Sequence, residues 1–287
     1  MKIVTDCAAD LTISEVEEFD INIAPLFIQF PDGEVNSNDL TPDDFYKRLI
    51  SMAPHIPTTA QPSSGIFTSI YQKLIDKGEN VISIHISSGL SGTIDSARTG
   101  ASSFPKNIVD VVDSMTLSGG QRFQVLAAAM AARGGKQKEF ILERLSKIRK
   151  ETEVIYTLET LDYLQRGGRI GRVQALAGAL LHIKPIIHVA KSDGKYSTIG
   201  KDRTIQKALV TITDHIAKVY GKETALWVTV LHGQFADQAH QLEELIHEKV
   251  NMSKIEILRI SPVLGVHTGP GIVGMAVVPF YLMEGLD

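Results

Sequence analysis

The sequence predicts an α/β protein of two domains. The N-terminal one, over residues 1–152, carries a mostly parallel sheet, and the C-terminal one, over residues 153–287, a mixed sheet. Three observations lead there. The chain has 287 residues, about two domains' worth at roughly 150 residues each. Short apolar, β-rich runs alternate with segments of helical composition, the pattern of strands joined by crossover helices. The alternation pauses at Gly134-Gly135 and a charged stretch, then starts again at Glu153.

Taken in order, strands are expected over 2–5, 21–30, 81–86 and 108–112. Helices are expected over 42–52, with Thr41 as cap, and over 63–77, 93–103 and 115–132. A charged helix over 137–150 closes the first half. In the second half, 153–158 reads as a strand, followed by a Gly-rich turn at 167–171 and a small-residue helix over 173–181. Strands over 184–190 and 196–199 flank Ser192-Asp193-Gly194, a good hairpin turn. Helices over 204–220 and 235–250 then alternate with strands over 225–231 and 255–260. No repeat at solenoid spacing and no low-complexity tract interrupts the series.

Hydrophobic residues make up 44% and charged residues 22% of the chain, the balance of an ordinary globular protein. Lys and Arg total 29 against 33 Asp and Glu, a net charge of −4. Such a chain has no global pull toward nucleic acid or an anionic membrane. The one cysteine, Cys7, forms no internal disulfide, and no Cys/His cluster has zinc-ligand spacing. No metal and no cofactor is expected. No apolar run approaches the ~20 residues that span a bilayer, so no stable membrane insertion is expected either. The opening residues turn polar too soon for a signal peptide, which makes the cytoplasm the expected address.

Four polar clusters fall on turns, where open α/β sheets usually hold ligands. Ser87 to Thr93 follows a strand and opens a helix, whose free N–H groups suit an anion; helix capping alone is the plainer reading. Pro57 to Ser63 is an extended loop held by two prolines, with Ser63 placed to cap the next helix. Gly167 to Arg172 combines glycines with two arginines but lacks the Walker lysine and the dinucleotide spacing. Gly265 to Gly271 sets His267 on a tight backbone, where its imidazole can donate a hydrogen bond to a carboxylate. A rival reading makes Ser91 a hydrolase or acyltransferase nucleophile with His267 and Asp113. The elbow pattern asks for glycine on both sides, and Thr93 occupies the second position. A carrier of another small carboxylate or phosphate is a third possibility.

Together these segments resemble the DegV family, whose best-understood members are the fatty-acid-binding FakB subunits of bacterial fatty-acid kinase. The likeness runs through Ile3-Val4-Thr5-Asp6 with Ala9-Asp10-Leu11, Thr59 to Ser63, Ser87 to Thr93 and Val112-Asp113-Ser114. It continues through Leu161 to Ile170, Ile183 to Ile186 and His267 to Gly271. Ala60 and Cys7 stand where the family commonly has serine, and 35–39 departs from its usual pattern. The resemblance implies two α/β domains with an acyl chain between them. It implies that Thr59, Ser91 and His267 hold the carboxylate, with Gly92 and Thr268 beside them. It further implies a long-chain fatty acid as ligand and an ATP-dependent kinase subunit as partner, which makes the acyl-phosphate, so that the chain alone is no enzyme. Arg169 and Arg203 fall where the family has arginines suited to docking the kinase or steadying phosphate. Candidate walls for the acyl chain are the helices over 66–75, 117–130 and 173–181.

Overall fold

The structure, a computed structural model, describes residues 1–177 and 183–287. Its first sheet has four parallel strands in the order β2-β1-β6-β7. These are β1 (Lys2–Asp6), β2 (Asn22–Ala24), β6 (Val81–His85) and β7 (Val109–Asp113). A small antiparallel sheet runs β4-β3-β5, from β3 (Phe27–Phe30), β4 (Gly33–Asn36) and β5 (Thr58–Ala60). The third sheet is mixed and six-stranded, in the order β10-β9-β8-β13-β11-β12. It comprises β8 (Glu153–Leu158), β9 (Lys184–Val189), β10 (Tyr196–Asp202), β11 (Leu226–His232), β12 (Met252–Arg259) and β13 (Ile272–Pro279).

Helices separate the sheets into layers. On one face of the four-stranded sheet lie α3 (Ser64–Ile75) and α4 (Thr93–Ala101), packed through Phe67, Tyr71 and Ala97 against Val4 and Val81. On one face of the six-stranded sheet lie α9 (Ile205–Tyr220) and α10 (Ala236–Lys249), around Leu209, Ile212, Leu242 and Ile246. Between the two sheets sits α5 (Ser118–Arg133), with α6 (Lys138–Glu151) beside it. Nearly all of α5 is buried, because it faces a sheet on both sides. Its run of alanines suits that place, since a helix without a polar face must be covered all round.

The shorter helices are α1 (Ile13–Glu18), α2 (Pro42–Ser51), α7 (Asp162–Arg166), α8 (Gln174–Ala177) and α11 (Pro262–Thr268). Thr12 and Glu15 close a capping box on α1, and Thr41 caps α2 as expected, with Pro42 in its first turn. The buried Arg122 of α5 ties the layers: its guanidinium meets Glu15 of α1 and Glu256 of β12 and donates to Thr229 Oγ1 of β11 at 3.1 Å.

Several expectations need correcting. The strand expected over 21–30 is two strands in two different sheets, parted at Pro25-Leu26, where proline removes a ladder donor. The loop around Thr59 is extended, as read, but it is also strand β5, paired with β3. His267 lies on a helix, α11, rather than in a tight loop. Gly265 serves that helix by close approach, for a Cβ there would lie 2.6 Å from Phe45 of α2. The strand β13, unforeseen, is central to its sheet and pairs with both β8 and β11. The helix expected over 173–181 begins as a 3-10 turn at Gly171–Val173 and continues as α8; residues 178–181 lie outside the described residues.

Candidate functional site

Two of the expected site residues make a direct contact. Thr59 Oγ1 and His267 Nε2 are 2.9 Å apart, in a hydrogen bond whose direction follows the imidazole tautomer. β5 supplies Thr59 through its register opposite Ile28 of β3, and the last turn of α11 supplies His267.

Ser91 enters from the turn between β6 and α4. The end of β6 is held by a fully buried relay: Asp6 Oδ2 meets His85 Nδ1 at 3.0 Å and His85 Nε2 meets Ser83 Oγ at 2.6 Å. Tyr71 O–H donates to Ser83 at 2.8 Å. The grouping has the order of a nucleophilic triad, yet Asp6, Ser83 and His85 are all 0% exposed, so it anchors the strand. Beyond it Ser87 Oγ donates to the Gly194 carbonyl at 2.8 Å, seating the turn on the β9–β10 hairpin. Ser91 Oγ accepts from Thr93 N–H at 3.3 Å and pairs with Thr93 Oγ1 at 2.8 Å. Gly92 is the cap residue of α4 and makes no side-chain cap bond, so Ser91, one position earlier, bonds only the first residue of the helix and also faces a cavity.

That cavity collects the four polar clusters. Thr59, Ser91, Arg169 and His267 line it with Ala8, Leu26, Ile86, Leu90, Tyr196, Val263 and Leu264 around about 390 Å³ of empty space. Two glycines bring the clusters together. A Cβ on Gly92 would lie 2.5 Å from Gln61 Oε1, so the first cluster seats on the second. A Cβ on Gly167 would collide with His267 Nδ1, so the third seats on the fourth. Arg169 stands at the exposed edge, donating to the Gly167 carbonyl at 2.7 Å.

The electrostatics follow from burial. Desolvation, helped by the nearby Arg169 charge, pulls the His267 imidazole down from 6.5 to about 4. At neutral pH the cavity thus holds an uncharged imidazole and two hydroxyls, with one guanidinium at the rim. Nδ1 of His267 has no hydrogen-bond partner among the described residues, and Asp113 is committed elsewhere, accepting from Met115 N–H at 2.8 Å and from Ser88 N–H. No carboxylate orients the imidazole, which a Ser91–His267–Asp113 triad would need.

A separate apolar cavity lies beside the polar one, and Tyr196 and Leu264 line both. It is walled by Leu117, Val154, Tyr156, Leu231, Ile272 and Met275, among others. A few polar groups opening on an apolar recess is the common form of a small-molecule site. The expected walls are only partly right. Leu117 and Ser118, at the start of α5, do line it, but α3 packs on the far face of the four-stranded sheet. Val173 is buried against the core outside this recess.

The remaining expected residues separate from the cluster. Gly92 flanks the polar cavity without lining it. Thr268 faces the apolar recess, and its hydroxyl donates to the Leu264 carbonyl at 3.1 Å. Arg203 is exposed at the bend between β10 and α9, away from both cavities. Tyr196 and Leu264 were missed because nothing in their local sequence marks a strand tyrosine or a helix leucine as a shared wall. Among the described residues no group of His, Cys, Asp and Glu has the arrangement to hold a metal, and no helix is long and apolar enough to cross a membrane.

Comparison with known proteins agrees with this architecture. A DegV domain-containing protein of Clostridium perfringens is 37% identical over 281 residues, covering 96% of this chain and 97% of its own. Among solved structures, a DegV family protein of Thermus thermophilus, described as fatty-acid binding, superposes with a TM-score of 0.91 at 28% identity, covering 97% of this chain and 99% of its own. A stearic-acid-binding protein of Eubacterium ventriosum superposes with a TM-score of 0.88 at 25% identity, covering 98% of each chain. The profile of a family described as uncharacterised proteins of the DegV family matches residues 1–279, and this chain belongs to the DegV family.

Proposed function

We propose that this protein binds a long-chain fatty acid and presents it to a separate ATP-dependent kinase subunit for acyl-phosphate formation. The acid lies between the halves of the chain that divide at 152/153, each an α/β domain. Thr59, Ser91 and His267 hold its carboxylate, and the acyl chain runs past Tyr196 and Leu264 into the apolar recess. The observation that carries the reading is that one polar and one apolar cavity lie side by side and share those two residues as walls.

The chemistry suits the ligand. A carboxylate buried without partners is costly, and hydroxyl and imidazole donors are what its lone pairs need. Each buried methylene adds ~0.8 kcal/mol, so a long tail supplies most of the affinity and the polar end sets orientation. The Thermus and Eubacterium relatives, described as binding fatty acid and stearic acid, support the same ligand class here. Arg169, at the rim, is placed to meet the phosphoryl group or the kinase.

Native mass spectrometry of the purified protein tests the first part. Bound acyl chains are expected, and delipidated protein should take up added oleate or stearate. Protein that carries no acid and binds none after delipidation overturns the reading. The second part is tested by adding a fatty-acid kinase subunit and ATP to the loaded protein and trapping acyl-phosphate with hydroxylamine. Binding without acyl hydroxamate would remove the kinase role alone.

A further inference from the structure

One side of the apolar recess is formed by Leu117, Ser118 and Ile260, with Asp10 behind Ser118. Asp10 sits there in the left-handed region, at φ 50° and ψ 39°, and is 7% exposed. Its Oδ2 accepts from Ser118 O–H at 2.5 Å, and its Oδ1 accepts from Ser261 N–H at 2.8 Å. Ser118 begins α5 and Ser261 precedes α11. Their neighbours Leu117 and Ile260, with Ser118 itself, line the recess. One carboxylate therefore clasps the two segments that close this side of the acyl site.

On the other side of the clasp lies an open cleft, and Asp10 and Ser261 form part of its lining. Its walls include Leu11, Ile13, Val16, Ile23, Leu40 and Leu258, and Ile13 is 79% exposed. This groove, in part aliphatic, meets the wall of the recess at the Asp10–Ser118 hydrogen bond, since Asp10 lines the groove and Ser118 lines the recess. A left-handed non-glycine residue held only by its surroundings marks a place where the structure spends stability on a fixed shape. Burial pushes the Asp10 carboxyl up to about 6, while the bonds from Ser118 and Ser261 pull it back. At neutral pH the ionised form accepts both bonds.

We infer that the Asp10–Ser118–Ser261 clasp is the stop that sets acyl-chain length, and that opening it lets the methyl end of a longer chain pass into the groove beside α1. This rests on the fatty-acid reading above. Chains that end within the recess leave the clasp shut. Longer ones must break two hydrogen bonds to a buried carboxylate before their extra methylenes find apolar contact.

The test compares palmitate, stearate, arachidate and behenate on delipidated wild type, Asp10→Ala, Asp10→Asn and Ser118→Gly. Ser118→Gly removes the hydroxyl at a position whose φ of 53° suits glycine, so it decides the matter where Asp10→Ala does not fold. Wild type should fall off sharply at the longer acids. Asp10→Ala and Ser118→Gly should raise the behenate-to-palmitate affinity ratio by about tenfold or more. Asp10→Asn, which keeps an acceptor for Ser261 N–H and gains an amide N–H that can donate to Ser118 Oγ, should stay near wild type. An unchanged ratio in a folded Ser118→Gly or Asp10→Ala protein overturns the stop, as does an equal loss for all four acids. A wild type that binds none of the four overturns the fatty-acid reading instead.

Discussion

Thr59 Oγ1 and His267 Nε2 meet at 2.9 Å although 208 positions separate them in the chain. The pair joins the edge of a three-stranded sheet to a short helix and defines one wall of the polar cavity. In the proposed function its two atoms engage the carboxylate, with Ser91, which lines the same cavity, completing the set.

Removing these groups one at a time should weaken acid binding. Thr59→Val, Ser91→Ala and His267→Ala are each expected to cost about 1–3 kcal/mol of affinity, the usual consequence of leaving one buried polar partner alone. Displacement of a fluorescent fatty acid measures it. Affinities within a factor of two of wild type for all three would contradict the placement of the carboxylate.

The imidazole also carries a pH signature. The folded His267 titrates at about 4, against 6.5 for the free side chain. Between those values the unfolded chain binds more protons, so this residue's contribution to stability is complete above about 6.5 and declines as pH falls toward about 4. His232 is depressed in the same direction, and Asp10 titrates near the same range with the opposite sign. The quantity to measure is therefore the difference in melting temperature between wild type and His267→Gln from pH 7.5 to 4.5. It should move against wild type as pH falls. A bound carboxylate beside Nε2 favours the imidazolium, so calorimetry near pH 5.5 in buffers of different ionisation heat should show proton uptake that His267→Gln lacks.

Gly167 should be replaceable only when His267 is absent. Its backbone is ordinary, with φ −72°, so alanine meets no conformational penalty, but its Cβ would collide with the imidazole and lie 3.0 Å from the Tyr163 carbonyl oxygen. Gly167→Ala is expected to cost ~1–3 kcal/mol in denaturant unfolding, the range for overpacking, and to weaken acid binding by shifting the imidazole. In a His267→Ala background the same substitution should be near neutral. Additive costs in the double variant would refute the contact.

Arg122 is 1% exposed between Glu15 and Glu256. Arg122→Ala leaves two partly buried carboxylates and the Thr229 hydroxyl without their cation. A loss of about 3 kcal/mol or more is expected in urea unfolding. A smaller loss is expected for Glu256→Gln, where Arg122 keeps Glu15. Equal losses for the two variants would mean that packing around Trp227, rather than charge, holds this joint.

Much of the layered plan was legible from periodicity. The strands over 81–86 and 153–158 and the helices over 42–52 and 204–220 were marked by apolar runs, and the first of these helices by its cap Thr41, which accepts from Asp44 N–H; the cap at Thr204, which accepts from Lys207 N–H, came from the structure. Local signals failed where an element draws its shape from distant partners. Strand β13 begins inside a glycine-rich stretch and owes its place to β8 and β11 on either side. Thr58–Ala60 is a strand because β3 offers an edge to it.

By itself the sequence determined the alternation of strands and helices, the mild acidity, and the four turns rich in serine, threonine, glycine, arginine and histidine. Only the tertiary structure decided that these turns share one cavity, that Tyr196 and Leu264 stand between it and an apolar recess, and that Arg203 and Thr268 stand apart from it. The physical reason is the range of the interactions. Helix periodicity, capping and turn chemistry act over a few residues, whereas a cavity is the space left when segments hundreds of positions apart pack together.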